Sequence, residues 1–173
     1  LLEVFALLKA APRSLAEAIK ESGGIRDWLW KGPGKGGAAT IEAIVSNEST
    51  KQNLRHSFSV SQDRDWFDVE DEYIMNDPSV SGLTLPSVFY YRFQQGHPVL
   101  RDLDGAEEPR PLGSLSRAES IISQVIDNVR YPELAFLNEA YSRIRLFRNW
   151  SFGPSARMRY DQSVHGTSDF PND

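Results

Sequence analysis

The sequence predicts an α+β domain, an antiparallel β-meander over a helix with further helices on its carboxyl-terminal side, and three observations predict it. Apolar residues recur at helical spacing at both ends of the chain, at Leu1, Val4, Phe5 and Leu8 and again at Leu134, Leu137, Tyr141 and Ile144. Between the ends they alternate with polar residues, the period of a half-buried strand. Glycine, proline, asparagine and aspartate cluster between the alternating runs, where turns are needed. The 173 residues suffice for one domain with a real core, and 40% hydrophobic with 11% aromatic residues is ordinary for a globular chain.

No Ser, Thr, Asp or Asn precedes Leu1 to satisfy the first N–H groups of the opening helix, so its natural start is expected upstream. After Pro12 the capping box Ser14-Leu15-Ala16-Glu17 starts a second helix, and Gly23-Gly24 suits the left-handed backbone that ends one. Gly32 to Gly37 is a loop. Thr40 to Val45 alternates, with Ile41, Ala43 and Val45 on one side. Leu54, His56, Phe58 and Val60 share a face in a second strand, and Phe67, Val69 and Tyr73 continue the pattern in a third, which Asp77-Pro78 ends. Val88 to Gln94 and Val99 to Leu103 form a hairpin through Gln95-Gly96-His97-Pro98 that closes at Asp104-Gly105, giving about four or five strands. Glu107 to Gly113 is polar and proline-rich, a loop. A second capping box, Ser116-Arg117-Ala118-Glu119, is expected to start a helix with Ala118, Ile121, Ile122 and Val125 inward, and Pro132 suits the first turn of the last helix. Trp150 and Phe152 begin a short strand that Gly153-Pro154 ends. Residues 1–160 are thus one domain, and 161–173 a polar tail with too little apolar area to offset the entropy of ordering.

No run of about 18 apolar residues exists, so no membrane-spanning helix is expected, and without the marks of a secretory signal a cytoplasmic location is the expectation. The absence of cysteine removes disulfides, thiolate nucleophiles and cysteine-based zinc sites. A net charge of −5 gives no global attraction to nucleic acid. The charge is uneven, because Asp63 to Asp77 is acidic while Arg143, Arg145, Arg148, Arg157 and Arg159 make the carboxyl-terminal part basic. Those arginines could meet DNA phosphates, or simply complement a helix dipole.

His56, His97 and His165 have no metal-ligand spacing. Asp68, Glu70 and Glu72 stand two apart, on one face of a regular strand, where they could gather a divalent cation or form a solvated face. Gly32-Pro33-Gly34-Lys35-Gly36-Gly37 fails as a phosphate loop, since glycine stands where the hydroxyl residue for magnesium should follow the lysine and a strand follows instead of a helix.

Four segments carry a resemblance: LLEVFALL at the start, GGIRDWLWKG followed by ATIEAIV, the run ESIISQVIDNVRYPELAFLNEAYSRIRLFRNWSFGP from Glu119 to Pro154, and a tail ending DFPND. In this order they resemble the RecF-like predicted ATPases, P-loop ATPases whose heads are similar to those of SMC and ABC proteins, over nearly the whole chain. The resemblance implies the β-rich lobe of an ATPase head, with the opening helix following a phosphate-binding loop that ends before Leu1. It implies ATP and magnesium as cofactors of the intact protein, self-association of two heads around nucleotide, and work in DNA maintenance or defence. It also implies that Gln124 is the glutamine that touches the magnesium and the attacking water, and that Trp30 and Lys31 lie near the adenine. The phosphate loop, the signature motif and the strand ending in paired acids all lie outside these 173 residues, so the chain alone is not expected to hydrolyse ATP or hold it tightly, and no residue is named as catalytic.

The residues by themselves leave other readings open. Gln124 falls in a predicted helix, where a polar residue simply faces solvent, Trp30 could be a buried tryptophan and Lys31 a solvated lysine. The chain could be a non-catalytic domain whose sheet and basic helix end hold a protein or nucleic acid, or, more weakly, a metal-dependent nuclease built on Asp68, Glu70 and Glu72. The opening helix is expected to bury Leu1, Val4, Phe5 and Leu8 against sheet residues such as Ile41 and Phe58.

Overall fold

A computed structural model describes residues 2–29, 37–48, 50–63, 66–77, 86–94, 97–109 and 114–147. In chain order these form α1 (Leu2–Ala10), α2 (Leu15–Glu21), a 3-10 turn (Ile25–Asp27), β1 (Ala39–Asn47), β2 (Gln52–Asp63), β3 (Trp66–Asn76), β4 (Phe89–Gln94), β5 (His97–Arg101), β6 (Glu107–Pro109), α3 (Ile121–Gln124) and α4 (Pro132–Ser142). The fold is α+β. Its six strands pair antiparallel in strict sequence order from β1 to β6, the arrangement short turns produce. A single core joins Leu7, Leu8, Leu15 and Leu137 of the helices to Ile41, Phe58, Ile74 and Leu100 of the sheet.

Alternation places the inner face of β1 and β2 as expected. Ile41 is buried with Ala43 and Val45 beside it, whereas Ile44 is 48% exposed on the other face. Leu54, His56, Phe58 and Val60 are all buried. The outer face is polar, with Arg55 reaching Glu42 at 2.7 Å and Asp77 at 3.2 Å, and the Thr40 and Ser59 hydroxyls 2.8 Å apart.

In β3 the alternation slips. Ser59 pairs with Asp71 but Val60 pairs with Val69, so Glu70 is the extra residue of a β-bulge. Before the bulge Val69 points inward; after it Glu72 and Ile74 do. Tyr73 therefore does not share a face with Val69, and its hydroxyl donates to Glu42 Oε2 on the outer face at 3.2 Å. The same slip separates Asp68, Glu70 and Glu72, which a regular strand would have aligned. Glu72 is buried, Glu70 is exposed and Asp68 pairs with Arg117 at 3.2 Å.

The stretch 107–109 is a strand rather than loop. Gly105, at φ 87°, occupies the left-handed region, and Asp102 Oδ1 accepts from the Ala106 N–H at 2.8 Å, so the chain folds back and Glu107 pairs with Arg101. Pro109 is tolerated because β6 is an edge strand.

The opening helix is present, rotated from its expected setting. Leu7, Leu8 and Ala11 are buried and Val4 half-buried, while Phe5 is 43% and Leu2 55% exposed. The i, i+3, i+4, i+7 template fits both Leu1-Val4-Phe5-Leu8 and Val4-Leu7-Leu8-Ala11; packing of α1 against α2 and α4 selects the second. At the end of α2 the Gly24 N–H donates to Ile19 O at 2.8 Å and the Gly23 N–H to Lys20 O at 3.3 Å, with φ of 93° and 99°. This is the paired C-terminal motif the two glycines predict.

The helix expected from Ser116 begins only at Ser120, whose hydroxyl accepts from the Ile122 N–H at 3.2 Å. Ser116 Oγ instead accepts from the Ala118 N–H, two residues on, at 3.3 Å, a turn that competes with helix. α4 is as expected, with Pro132 in its first turn and Leu134, Leu137 and Tyr141 buried. Leu1, residues 32–36, Gln95-Gly96, the segment from Trp150 to Phe152 and the tail 161–173 lie outside the described residues.

Candidate functional site

The segment from Leu115 to Gln124, a loop that runs into α3, is where the sheet, the amino-terminal helices and the carboxyl-terminal helices meet, and three residues, Arg117, Glu119 and Glu72, hold it. The Arg117 carbonyl accepts from the Val69 N–H of β3 at 2.7 Å, beside the bulge, and the Arg117 guanidinium pairs with Asp68. The Glu119 carboxylate spans to α2, its Oε1 accepting from the Ser14 hydroxyl at 2.7 Å and its Oε2 from the Leu15 N–H at 2.7 Å. The Glu72 carboxylate takes the start of α3, accepting from the Ser120 hydroxyl at 2.5 Å and the Ile121 N–H at 2.9 Å. In each helix an orphan first-turn N–H is satisfied by a carboxylate distant in sequence, whose charge also suits the helix dipole.

Gln124 closes this loop. Its Oε1 accepts from the Ser116 N–H at 2.6 Å, and its Nε2 donates to the carbonyls of Ser116 at 3.0 Å, Glu119 at 3.0 Å and, more weakly, Ser120 at 3.4 Å. The donor at one end and acceptors at the other fix the orientation of the amide. Gln124 lies in a helix as expected, at the end of α3, but it is half-buried and engaged with backbone rather than simply solvent-facing. The cavity it lines with Val69, Glu72, Tyr91, Phe93 and Glu119 measures about 20 Å³, room for a single water and not for a nucleotide.

Behind the loop lies a polar network in the core. Glu72 Oε1 is 3.0 Å from His56 Nε2, and His56 Nδ1 is 3.0 Å from the Tyr141 hydroxyl. With Glu72 ionised, the arrangement is satisfied when His56 carries its proton on Nε2 and accepts from Tyr141 at Nδ1. Burial, reinforced by the Glu72 charge, pushes the hydroxyls of Tyr141 and Tyr91 well above the usual phenol range, so both stay protonated. The network joins β2, β3, α3 and α4, and its depth makes it a structural linkage.

Asp71, next to the bulge residue, has a carboxyl raised by burial and by the charge of Glu70, against a lowering backbone hydrogen bond, and its Oδ1 is buried without a hydrogen-bond partner. A folded-state value above the unfolded one means that folding favours the protonated form, so stability falls as pH rises through that interval and stays lower above it. Asp71→Asn is expected to raise Tm by a few degrees at pH 7 and to give no gain at about pH 3, below the ordinary aspartate value of about 3.9. Thermal unfolding of both proteins across that range checks it.

Trp30 and Lys31 lie outside the described residues. Two residues before them, the Trp28 indole N–H donates to Ser22 Oγ at 2.8 Å and borders an open groove of about 400 Å³ between α1 and α2 that Leu146 also lines. Among the described residues no group of His, Asp and Glu is placed to hold a metal. His97 is exposed on β5, His56 is in the core and His165 is outside the described residues. Arg143 pairs with Glu139 one turn earlier in the chain, while Arg148, Arg157 and Arg159 are outside the described residues. What sequence reasoning missed is the role of Glu119 and Glu72 as caps for helices distant in sequence. Each sat in a visible pattern, a capping box and an acidic strand, but the partners they hold are 104 and 49 positions away.

No helix among the described residues is long and apolar enough to cross a membrane. No family model matches the chain, and no curated protein or solved structure is significantly similar to it.

Proposed function

We propose that this chain is the β-rich lobe of a RecF-like ATPase head, with Gln124 as the glutamine that links this lobe to the nucleotide, and that its parent acts in the cytoplasm in DNA maintenance or defence. The observation that carries the reading is the placement of Gln124 at the end of α3, where its amide grips the preceding loop, itself tied to α2 through Glu119 and to β3 through Glu72. A residue that senses nucleotide and reports to a lobe belongs at such a junction. The chain order, helices then an antiparallel meander then the glutamine loop, supports it. So do Leu2 and Phe5 at the start of α1, which present apolar surface that the remainder of a head would cover.

The space at Gln124 itself admits one water and not a nucleotide. On this reading the phosphates of ATP and their magnesium are held by a loop preceding α1, Trp30 and Lys31 border the adenine, and two heads associate around the nucleotide. DNA is the class of molecule such a head moves.

The gene upstream of Leu1 is expected to encode a glycine-rich GK[ST] loop directly before it. Protein carrying that segment is expected to hydrolyse ATP, with Gln124→Ala lowering kcat about 100-fold, the scale for losing one preorganised polar contact at a reacting centre. The 173-residue chain alone is expected to release no phosphate above background. A start codon immediately before Leu1, or a longer protein that neither binds nor hydrolyses ATP, overturns the reading in favour of a non-catalytic scaffold domain.

A further inference from the structure

The geometry points to Glu119 as a strut that couples the position of α2 to that of the Gln124 loop. Glu119 is the residue that engages both sides. Its carboxylate holds the Ser14 hydroxyl and the Leu15 N–H at 2.7 Å each, while its own carbonyl, 3.0 Å from Gln124 Nε2, is part of the backbone that Gln124 grips. A two-oxygen grip on two donors of one helix start resists both sliding and rotation, which a single hydrogen bond does not. The far side of the loop is bolted to β3 through Val69 and Glu72. The Glu119 side chain therefore gives a shift of α2 a short hydrogen-bonded path to Gln124.

Ser14 is a hydroxyl cap for its own helix as well, accepting from the Glu17 N–H at 3.2 Å. It donates to Glu119 at the same time, so the cap and the strut share one atom. In the ATPase reading, on which this role rests, the strut is a positioning element: displacement of the amino-terminal helices by nucleotide would pull the loop and free the Gln124 amide from the carbonyls that occupy it.

The coupling is measurable without nucleotide, by amide hydrogen exchange in the 173-residue chain, with Leu15 reporting α2 and Ser116 and Val69 reporting the loop. Ser14→Ala is expected to accelerate exchange at Ser116 and Val69 about tenfold, although Ser14 contacts neither. In a Glu119→Ala background, which removes both acceptor oxygens, the same substitution is expected to add less than about twofold, since the path is already broken. From the other end, Gln124→Ala is expected to accelerate Leu15, because coupling is reciprocal. Equal acceleration by Ser14→Ala in both backgrounds, or a Leu15 amide indifferent to Gln124→Ala, overturns the strut. Either outcome leaves the ATPase reading standing, whereas failure of the longer protein to bind ATP removes that reading and leaves the strut intact.

Discussion

Glu72→Ala is expected to destabilise the domain by about 3–5 kcal/mol, the cost of removing one partner from a buried, charge-assisted network. The carboxylate is 2% exposed and accepts from Ser120, Ile121 and His56. Truncation leaves the groups that Glu72 serves facing a void in the core. For a domain of this size the loss corresponds to a fall in Tm of roughly 6–20 °C. Glu72→Gln separates the contributions. Its oxygen can still serve Ser120 and His56, but its amide N–H₂ confronts the Ile121 N–H, so the loss should be intermediate and should fall on the start of α3. Urea titration of the three proteins provides the measurement, and a loss below about 1 kcal/mol for Glu72→Ala would show that the network is dispensable.

The second large effect is expected from Phe58→Ala, at about 3–5 kcal/mol. Phe58 is 1% exposed near the middle of β2, between Ile41 on β1 and Glu72 on β3, with its ring 5.2 Å from that of His56. Loss of the ring removes apolar burial and withdraws the packing that fixes the imidazole against Glu72. Ile44→Ala is the matched control: Ile44 is 48% exposed on the opposite face of β1, and its loss is expected within about 0.5 kcal/mol. A larger loss at Ile44 than at Phe58 would mean that the inner and outer faces of the sheet have been exchanged. Because Phe58 and His56 touch, the Phe58→Ala and His56→Ala effects should not add, and a double-mutant cycle measures the shortfall.

How much of this architecture was legible in the sequence follows from the range of the forces involved. Strand alternation in β1 and β2, the glycine pair that ends α2 and the proline that starts α4 are local effects, and local patterns report them. The setting of α1 was ambiguous because two overlapping apolar stripes satisfied one spacing rule, and only contact with α2 and α4 chose between Phe5 and Leu7. The bulge at Glu70 was invisible because its cause is the register between β2 and β3. One skipped residue was enough to move Glu72 from an imagined outer row of acids into the core. The candidate site was legible only as one residue, Gln124. That its amide is occupied by the Ser116, Glu119 and Ser120 carbonyls depends on a turn that displaced the expected helix start.

The strictly sequential sheet and the long-range cap on α2 also set an order of events for the nascent chain. Each strand can pair with its predecessor soon after it leaves the ribosome, but the start of α2 lacks Glu119 until synthesis has advanced 105 residues beyond Ser14, roughly 5–20 s at ordinary elongation rates. Through that interval the two amino-terminal helices must persist as a half-finished hairpin with uncovered leucines. Leu7, Leu8 and Leu15 should therefore remain accessible to a holdase through that interval, and be covered when the segment carrying Glu119 emerges.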